Sequence, residues 1–172
     1  MFRSKRWGDA RGFFSETYKL STFGEAGLPP FKQDNHSYSA EVGVLRGLHF
    51  QAPPYAQGKL IRVTRGAVFD VAVDIRIGSP SYGQHVSAVL SAENWTQLYA
   101  PPGFAHGFLT LEPDTEVLYK TTEEYAPASE GGLAWDDPAL QIDWPAPARH
   151  VVERDRSWPK LAALASPFAY EG

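Results

Sequence analysis

Phe69-Asp70-Val71-Ala72-Val73-Asp74-Ile75-Arg76-Ile77 sets five apolar β-formers at every second position, with small or charged residues between them. A period of two is that of a β-strand with one apolar face. Arg65-Gly66, just ahead of it, has turn chemistry, so Lys59 to Gly78 is expected to fold as a β-hairpin. Downstream, His85–Leu90, Thr96–Tyr99, Gly107–Leu111 and Glu116–Thr121 are further short runs of β-formers, separated by Gly, Pro, Asn and Asp. Many short strands in a chain with 15 Gly and 14 Pro predict an all-β sandwich or barrel. Upstream, Asp9–Tyr18 is expected to be a loop entering a strand. Ser21–Gly27 is expected to be a short helix ended by its glycine and stopped by Leu28-Pro29-Pro30. From Glu123 onward the chain is irregular and proline-dotted, with Trp135, Trp144 and Trp158 as packing anchors. Pro159–Ala165 is expected to form one short C-terminal helix.

Composition bounds the function. With 172 residues and 43% hydrophobic content, the chain can fill one core and is short for two, so residues 1–172 are expected to form a single domain. A net charge of −4 with sixteen dispersed Lys and Arg argues against a nucleic-acid partner, which needs a clustered basic surface. Without cysteine there is no disulfide, thiolate metal site or thiol nucleophile. No apolar run approaches the roughly 18 residues of a membrane span, and Met1–Phe14 has no signal-peptide apolar core. No membrane partner is expected, a cytoplasmic location is, and the sequons at Asn35 and Asn94 are read as accidental.

The chemistry concentrates in Gly43–Val63, GVLRGLHFQAPPYAQGKLIRV, a span that two adjacent strands could cover. Arg46 offers an anion clamp, His49 a candidate base and Lys59 a fixed cation. Together they suggest chemistry on an anionic carbonyl compound. A neutral imidazole, with a reference pKa of ~6.5, can take a proton from carbon acidified by an adjacent ketone. The resulting enolate needs a cation already in place, such as Lys59, and inversion needs an acid on the opposite face, for which a tyrosine serves. Taken singly, each residue has an ordinary structural reading: a satisfied barrel histidine, a strand-end cation, a core tyrosine. Arg11 alone reads as a phosphate ligand or as a solvated arginine beside a turn glycine. Gln33-Asp34-Asn35-His36-Ser37 reads as a ligand site or simply as a polar loop.

Pro101-x-Gly103-x-x-His106 resembles the second motif of the cupin superfamily of small β-barrels. The first cupin motif usually supplies an H-x-H pair and a glutamate. Here His49-Phe50-Gln51 stands in its place with no glutamate at the usual spacing, so no metal is expected.

GVLRGLHFQ, AQGKLIRV, FDVAVDIR, PPGFAHGF, EVLYK and WDDP, in that order, resemble the dTDP-4-dehydrorhamnose 3,5-epimerase family from about Asp9 to Leu161. The resemblance implies a cupin-like jelly-roll barrel with a few short peripheral helices. It also implies a homodimer, a dTDP-sugar substrate and no cofactor. His49 matches the family's base and Asp155, in ERDRSWPKL, the carboxylate paired with it. Lys59 matches the residue that stabilises the enolate, and Tyr119 the acid on the other face. Arg11 and Arg46 match pyrophosphate ligands; Phe13, Glu16, Gln33 and Asn35 match nucleotide contacts; His106 matches a histidine near the sugar. The chain departs from the pattern where Glu124-Tyr125 replaces paired tyrosines, so Tyr125 is expected to take up base stacking. It also departs at the N-terminus, where family members carry a longer segment with a further strand. Three other readings share many of these residues: an epimerase acting at C3 or C5 alone, a metal-dependent cupin and a non-catalytic sugar-nucleotide binder. Product stereochemistry, chelator sensitivity and turnover, respectively, separate them from the double epimerase.

Overall fold

The computed structural model describes residues 1–172. Its elements are β1 (Phe2–Arg3), β2 (Trp7–Asp9), β3 (Gly12–Phe14), helix α1 (Leu20–Glu25), β4 (Gln33–Ser39), β5 (Leu45–Gln51), β6 (Lys59–Arg65) and β7 (Ala67–Asp74). There follow β8 (His85–Ser91), β9 (Thr96–Ala100), β10 (Phe104–Thr110), β11 (Thr115–Thr121), β12 (Glu130–Gly132) and the one-turn helix α2 (Glu153–Arg156). Two five-stranded antiparallel sheets, ordered β1-β9-β6-β11-β4 and β12-β5-β10-β7-β8, face each other as a jelly-roll barrel, and β2-β3 forms a separate small hairpin. The all-β architecture and strands β8 to β11 agree with the sequence reading, whereas Gln33–Ser37, read as a ligand site or a polar loop, belongs to strand β4, and the hairpin β2-β3 forms where a loop entering a strand was expected.

The expected Lys59–Gly78 hairpin does not form. β6 pairs with β9 and β11 in one sheet, whereas β7 pairs with β10 and β8 in the other. Gly66, at φ +72°, turns the chain from sheet to sheet, and a Cβ there would run into Thr115. Crossing between sheets serves burial: Ile61 and Val63 of β6 meet Val68 and Ala72 of β7 in one core between the sheets. A hairpin would have put both strands on one layer with nothing to cover them. For the same reason β5 and β6 are not neighbours, so Arg46 and His49 look across the barrel at Lys59.

β7 is not apolar on one face only, because both of its faces are buried. Val71, Val73 and Ile75 lie outside the barrel under Leu133, Leu140, Trp135 and Trp144, so these two tryptophans anchor the irregular C-terminal segment as expected. The alternate face carries Asp70, fully buried and turned inward. The strand also stops at Asp74, earlier than its pattern predicts. The Asp74 carboxylate accepts hydrogen bonds from the Arg76 backbone and guanidinium and from Ser79 and Ser81, which folds the chain into a turn. Further on, the expected C-terminal helix is only a 3-10 turn at Leu161–Ala163. The Pro159 carbonyl accepts a 2.8 Å hydrogen bond from the Ala134 N–H instead of serving a helix. α2, one turn ahead of it, was not expected. α1 forms as expected, with Gly27 at φ +84° just beyond it.

Candidate active site

Strand alternation alone would point Arg46 and His49, three residues apart, to opposite faces. They share a face because β5 bulges. Arg46 lies opposite Phe108 and His49 opposite His106, so three steps on β5 match two on β10. The extra residue falls at Gly47, where φ is +130° and a Cβ would stand 2.5 Å from the Gly107 Cα. Leu48 and Phe50 consequently pack outward in the outer core, and Arg46 and His49 turn into a cavity of about 820 Å³ between the sheets. The facing sheet contributes Lys59 from β6, Tyr119 from β11 and Gln33 and Asn35 from β4. Tyr119 stands opposite Asn35 on one side and Ile61 on the other, and Lys59 stands opposite Thr121, one step diagonal to the tyrosine.

His49 Nε2 lies 2.7 Å from Asp155 Oδ1, although the two are more than a hundred positions apart in the chain. The other carboxylate oxygen accepts the Gly47 N–H at 3.1 Å, so the bulge that turns His49 inward also holds its partner. Burial works against the Asp155 charge. The hydrogen bonds from His49 and Gly47, with Arg154 nearby, outweigh it and keep the pKa below the usual carboxylate value. An ionised Asp155 takes the Nε2–H and leaves Nδ1, which has no protein partner, as the basic nitrogen.

Lys59 donates to the His49 carbonyl at 3.2 Å. Burial lowers its pKa to about 8, against the pull of Glu130 and Asp70, so it stays mainly protonated at neutral pH. Burial raises the pKa of Tyr119, with Arg46 opposing, and the phenol keeps its proton. His106 lies beside His49, its Nε2 3.0 Å from both oxygens of Asp70. The two histidines each turn Nε2 to a carboxylate, and no three His, Asp or Glu side chains converge as a metal cluster would require.

The rest of the expected set divides. Gln33, Asn35, Arg46, His106 and Tyr125 line the cavity with the four central groups. Gln33 accepts the Tyr125 N–H at 2.9 Å, and the Tyr125 hydroxyl donates to Glu130 at 3.1 Å. Arg11, Phe13 and Glu16 are not in the cavity wall. Arg11 is paired with Asp9 at 2.6 Å, Phe13 packs edge-on against Trp95, and both side chains face solvent. The cavity also contains residues that the motifs did not single out, among them Glu130, Arg149, His150 and Arg154. Arg154 bridges to Glu130 at 2.9 Å and sits next to Asp155 in sequence, the one signal that could have found it.

The chain is similar to known proteins over most of its length. The family model described as dTDP-4-dehydrorhamnose 3,5-epimerase matches residues 1–163. The Sinorhizobium fredii enzyme of that name is 51% identical, over 99% of this chain and 88% of its own. The Pseudomonas aeruginosa enzyme is 54% identical, over 91% and 87%. The crystal structure of dTDP-6-deoxy-D-glucose-3,5-epimerase from Legionella pneumophila, in complex with dTDP-4-keto-L-rhamnose, superposes with a TM-score of 0.94. It is 43% identical and is covered for 92% of its length by 99% of this chain. A 3′-monoepimerase from Streptomyces bikiniensis, in complex with dTDP-quinovose, is 35% identical with a TM-score of 0.87, over 94% of this chain and 82% of its own. Such agreement over nearly the whole sequence and the whole barrel makes this chain a member of the dTDP-4-dehydrorhamnose 3,5-epimerase family.

Proposed function

We propose that the protein converts dTDP-4-keto-6-deoxy-D-glucose to dTDP-4-keto-L-rhamnose by epimerisation at C3 and C5, in the cytoplasm and as a homodimer. The observation that carries the reading is the placing of His49 with Asp155 on one sheet side and Tyr119 on the other, across one cavity with Lys59 between them. The 4-keto group acidifies the hydrogens at both neighbouring carbons, so the scheme calls for no redox or metal cofactor. His49 Nδ1 removes the α-proton, and the electron pair of that C–H bond moves into the C–C bond as the ketone becomes an enolate. The Lys59 ammonium stabilises the enolate oxygen. The Tyr119 hydroxyl then protonates the carbon from the opposite face, and solvent restores both side chains. Arg46, Gln33 and Asn35 hold the nucleotide diphosphate, Tyr125 stacks on the base, and binding energy from these remote parts positions the sugar.

Arg11, Phe13 and Glu16 enter this scheme through a second copy. Their hairpin, β2-β3, joins neither large sheet, and it exposes Trp7, Phe13 and Phe14. β4, which lines the cavity, is an edge strand with an unpaired side. A partner's hairpin at that edge would bring the three residues to the cavity mouth.

The test is incubation with dTDP-4-keto-6-deoxy-D-glucose in D₂O, following deuterium at each sugar carbon. Incorporation at both C3 and C5 is expected. Incorporation at C3 alone would make the protein a monoepimerase like its Streptomyces bikiniensis relative. Replacing His49 by Ala should abolish turnover while dTDP still binds, and retained turnover would sink the mechanism.

A further inference from the structure

Trp158 has no part in the scheme above, yet its ring lies against the base. The indole and the His49 imidazole meet edge to face, with centroids 6.3 Å apart and planes at 75°. The space it occupies exists because position 132 is glycine. Gly132 of β12 is the register partner of His49, and a Cβ there would overlap the indole, standing 2.5 Å from Trp158 Nε1. That Nε1 is buried without a hydrogen-bond partner, so the ring is held by shape rather than by a polar anchor. Asp155, in α2, and Trp158, just past its C-cap Ser157, both reach His49. The hydrogen bond from the Ala134 N–H to the Pro159 carbonyl fixes this segment to the chain just after Gly132.

One hydrogen bond to Asp155 fixes where Nε2 sits but leaves the imidazole free to pivot about that bond, which swings Nδ1 away from a reacting carbon. His106 stands on one side of His49 in the sheet, and Gly132, with no side chain, on the other. The indole fills the open side. We propose that Trp158 is a positioning residue for proton transfer: seated over Gly132, it blocks this pivot, keeps Nδ1 aimed at the sugar and keeps water off the flank of the ring. The inference rests on His49 being the base.

The test uses the full chain with Trp158→Leu, Trp158→Phe, Gly132→Ala and the Gly132→Ala/Trp158→Leu pair, each with its kcat, KM and dTDP affinity. Leucine keeps the apolar filling but not the flat wall, so Trp158→Leu should lower kcat about tenfold or more, with KM and dTDP affinity within about twofold. Phenylalanine restores a flat ring and should hold kcat within about threefold of the parent. Gly132→Ala displaces the indole and should lose kcat in the same way, and the double variant should fall no further than the worse single one. A Trp158→Leu protein with kcat within about twofold of the parent would overturn the inference, as would losses that simply add in the double variant. His49→Ala separates this from the larger reading. If it stays active, the mechanism is wrong; if it is dead while Trp158→Leu is unaffected, only the role of Trp158 fails.

Discussion

Asp155 uses its two oxygens on two different problems, one holding the His49 tautomer and the other accepting the N–H of the bulge that turns His49 inward. Replacing it by Asn keeps the shape but sets an NH₂ group against one of two donors. Asp155→Asn should lower kcat by about 10³-fold or more, with KM nearly unchanged, in steady-state assays. Its folded pKa lies below the ordinary value. The stabilisation it supplies is therefore present at neutral pH and is lost as pH falls through that lowered value. Urea midpoints of parent and variant should accordingly converge in acid. Lys59 is shifted in the same direction, but by burial that disfavours its charged form. Its pKa near 8, against 10.5 for a free lysine, means that the unfolded chain binds the extra proton between those values, so stability rises with pH across that window. Relative to Lys59→Met, the parent should gain stability from about pH 8 upward, while its own turnover declines over the same range as the ammonium is lost.

At the scale of elements, the bulge in β5 decides the site. Without the extra residue at Gly47, either Arg46 or His49 would point into the outer core, and the two side chains would be on opposite faces of the sheet. The close approach of β5 and β10 there leaves no room for a side chain, since a Cβ on Gly107 would stand 2.6 Å from the Arg46 carbonyl. Gly47→Ala should destabilise the protein by roughly 3 kcal/mol, through overpacking and a strained positive φ, as read from denaturant midpoints. It should also reduce turnover more than loss of folded protein explains, because the Gly47 N–H no longer steadies Asp155. A parent-like midpoint would refute this account of the bulge.

The β2-β3 hairpin joins neither large sheet, and β4 leaves an open edge beside the cavity. Light scattering should give the mass of a dimer. Phe13→Glu, which puts a charge on the exposed aromatic cluster, should shift the population toward monomer and raise KM for the dTDP-sugar. A monomeric parent with full activity would remove the partner-supplied residues from the scheme. The C-terminal segment reaches both faces of one sheet: its tryptophans cover the outer face of β7, and its short helix delivers Asp155 to the inner face of β5.

The all-β class, most of the strands from β6 to β11 and, through the motifs around His49, Lys59, His106 and Tyr119, the family were legible in the sequence. These are properties of local alternation, turn residues and short ordered motifs, which survive without knowledge of what packs on what. It could not determine which sheet each strand joins, because a turn at Arg65-Gly66 suits a hairpin and a sheet-to-sheet corner equally; burial of both faces of β7 decided that. Nor could spacing show that His49 meets Asp155, which the motif comparison supplied and the tertiary structure realised at 2.7 Å. The bulge at Gly47, the fit of Trp158 over Gly132 and the removal of Arg11, Phe13 and Glu16 from their own cavity were decided by tertiary structure alone. Each depends on close contact between segments far apart in the chain, and such contact leaves no periodic trace in either segment.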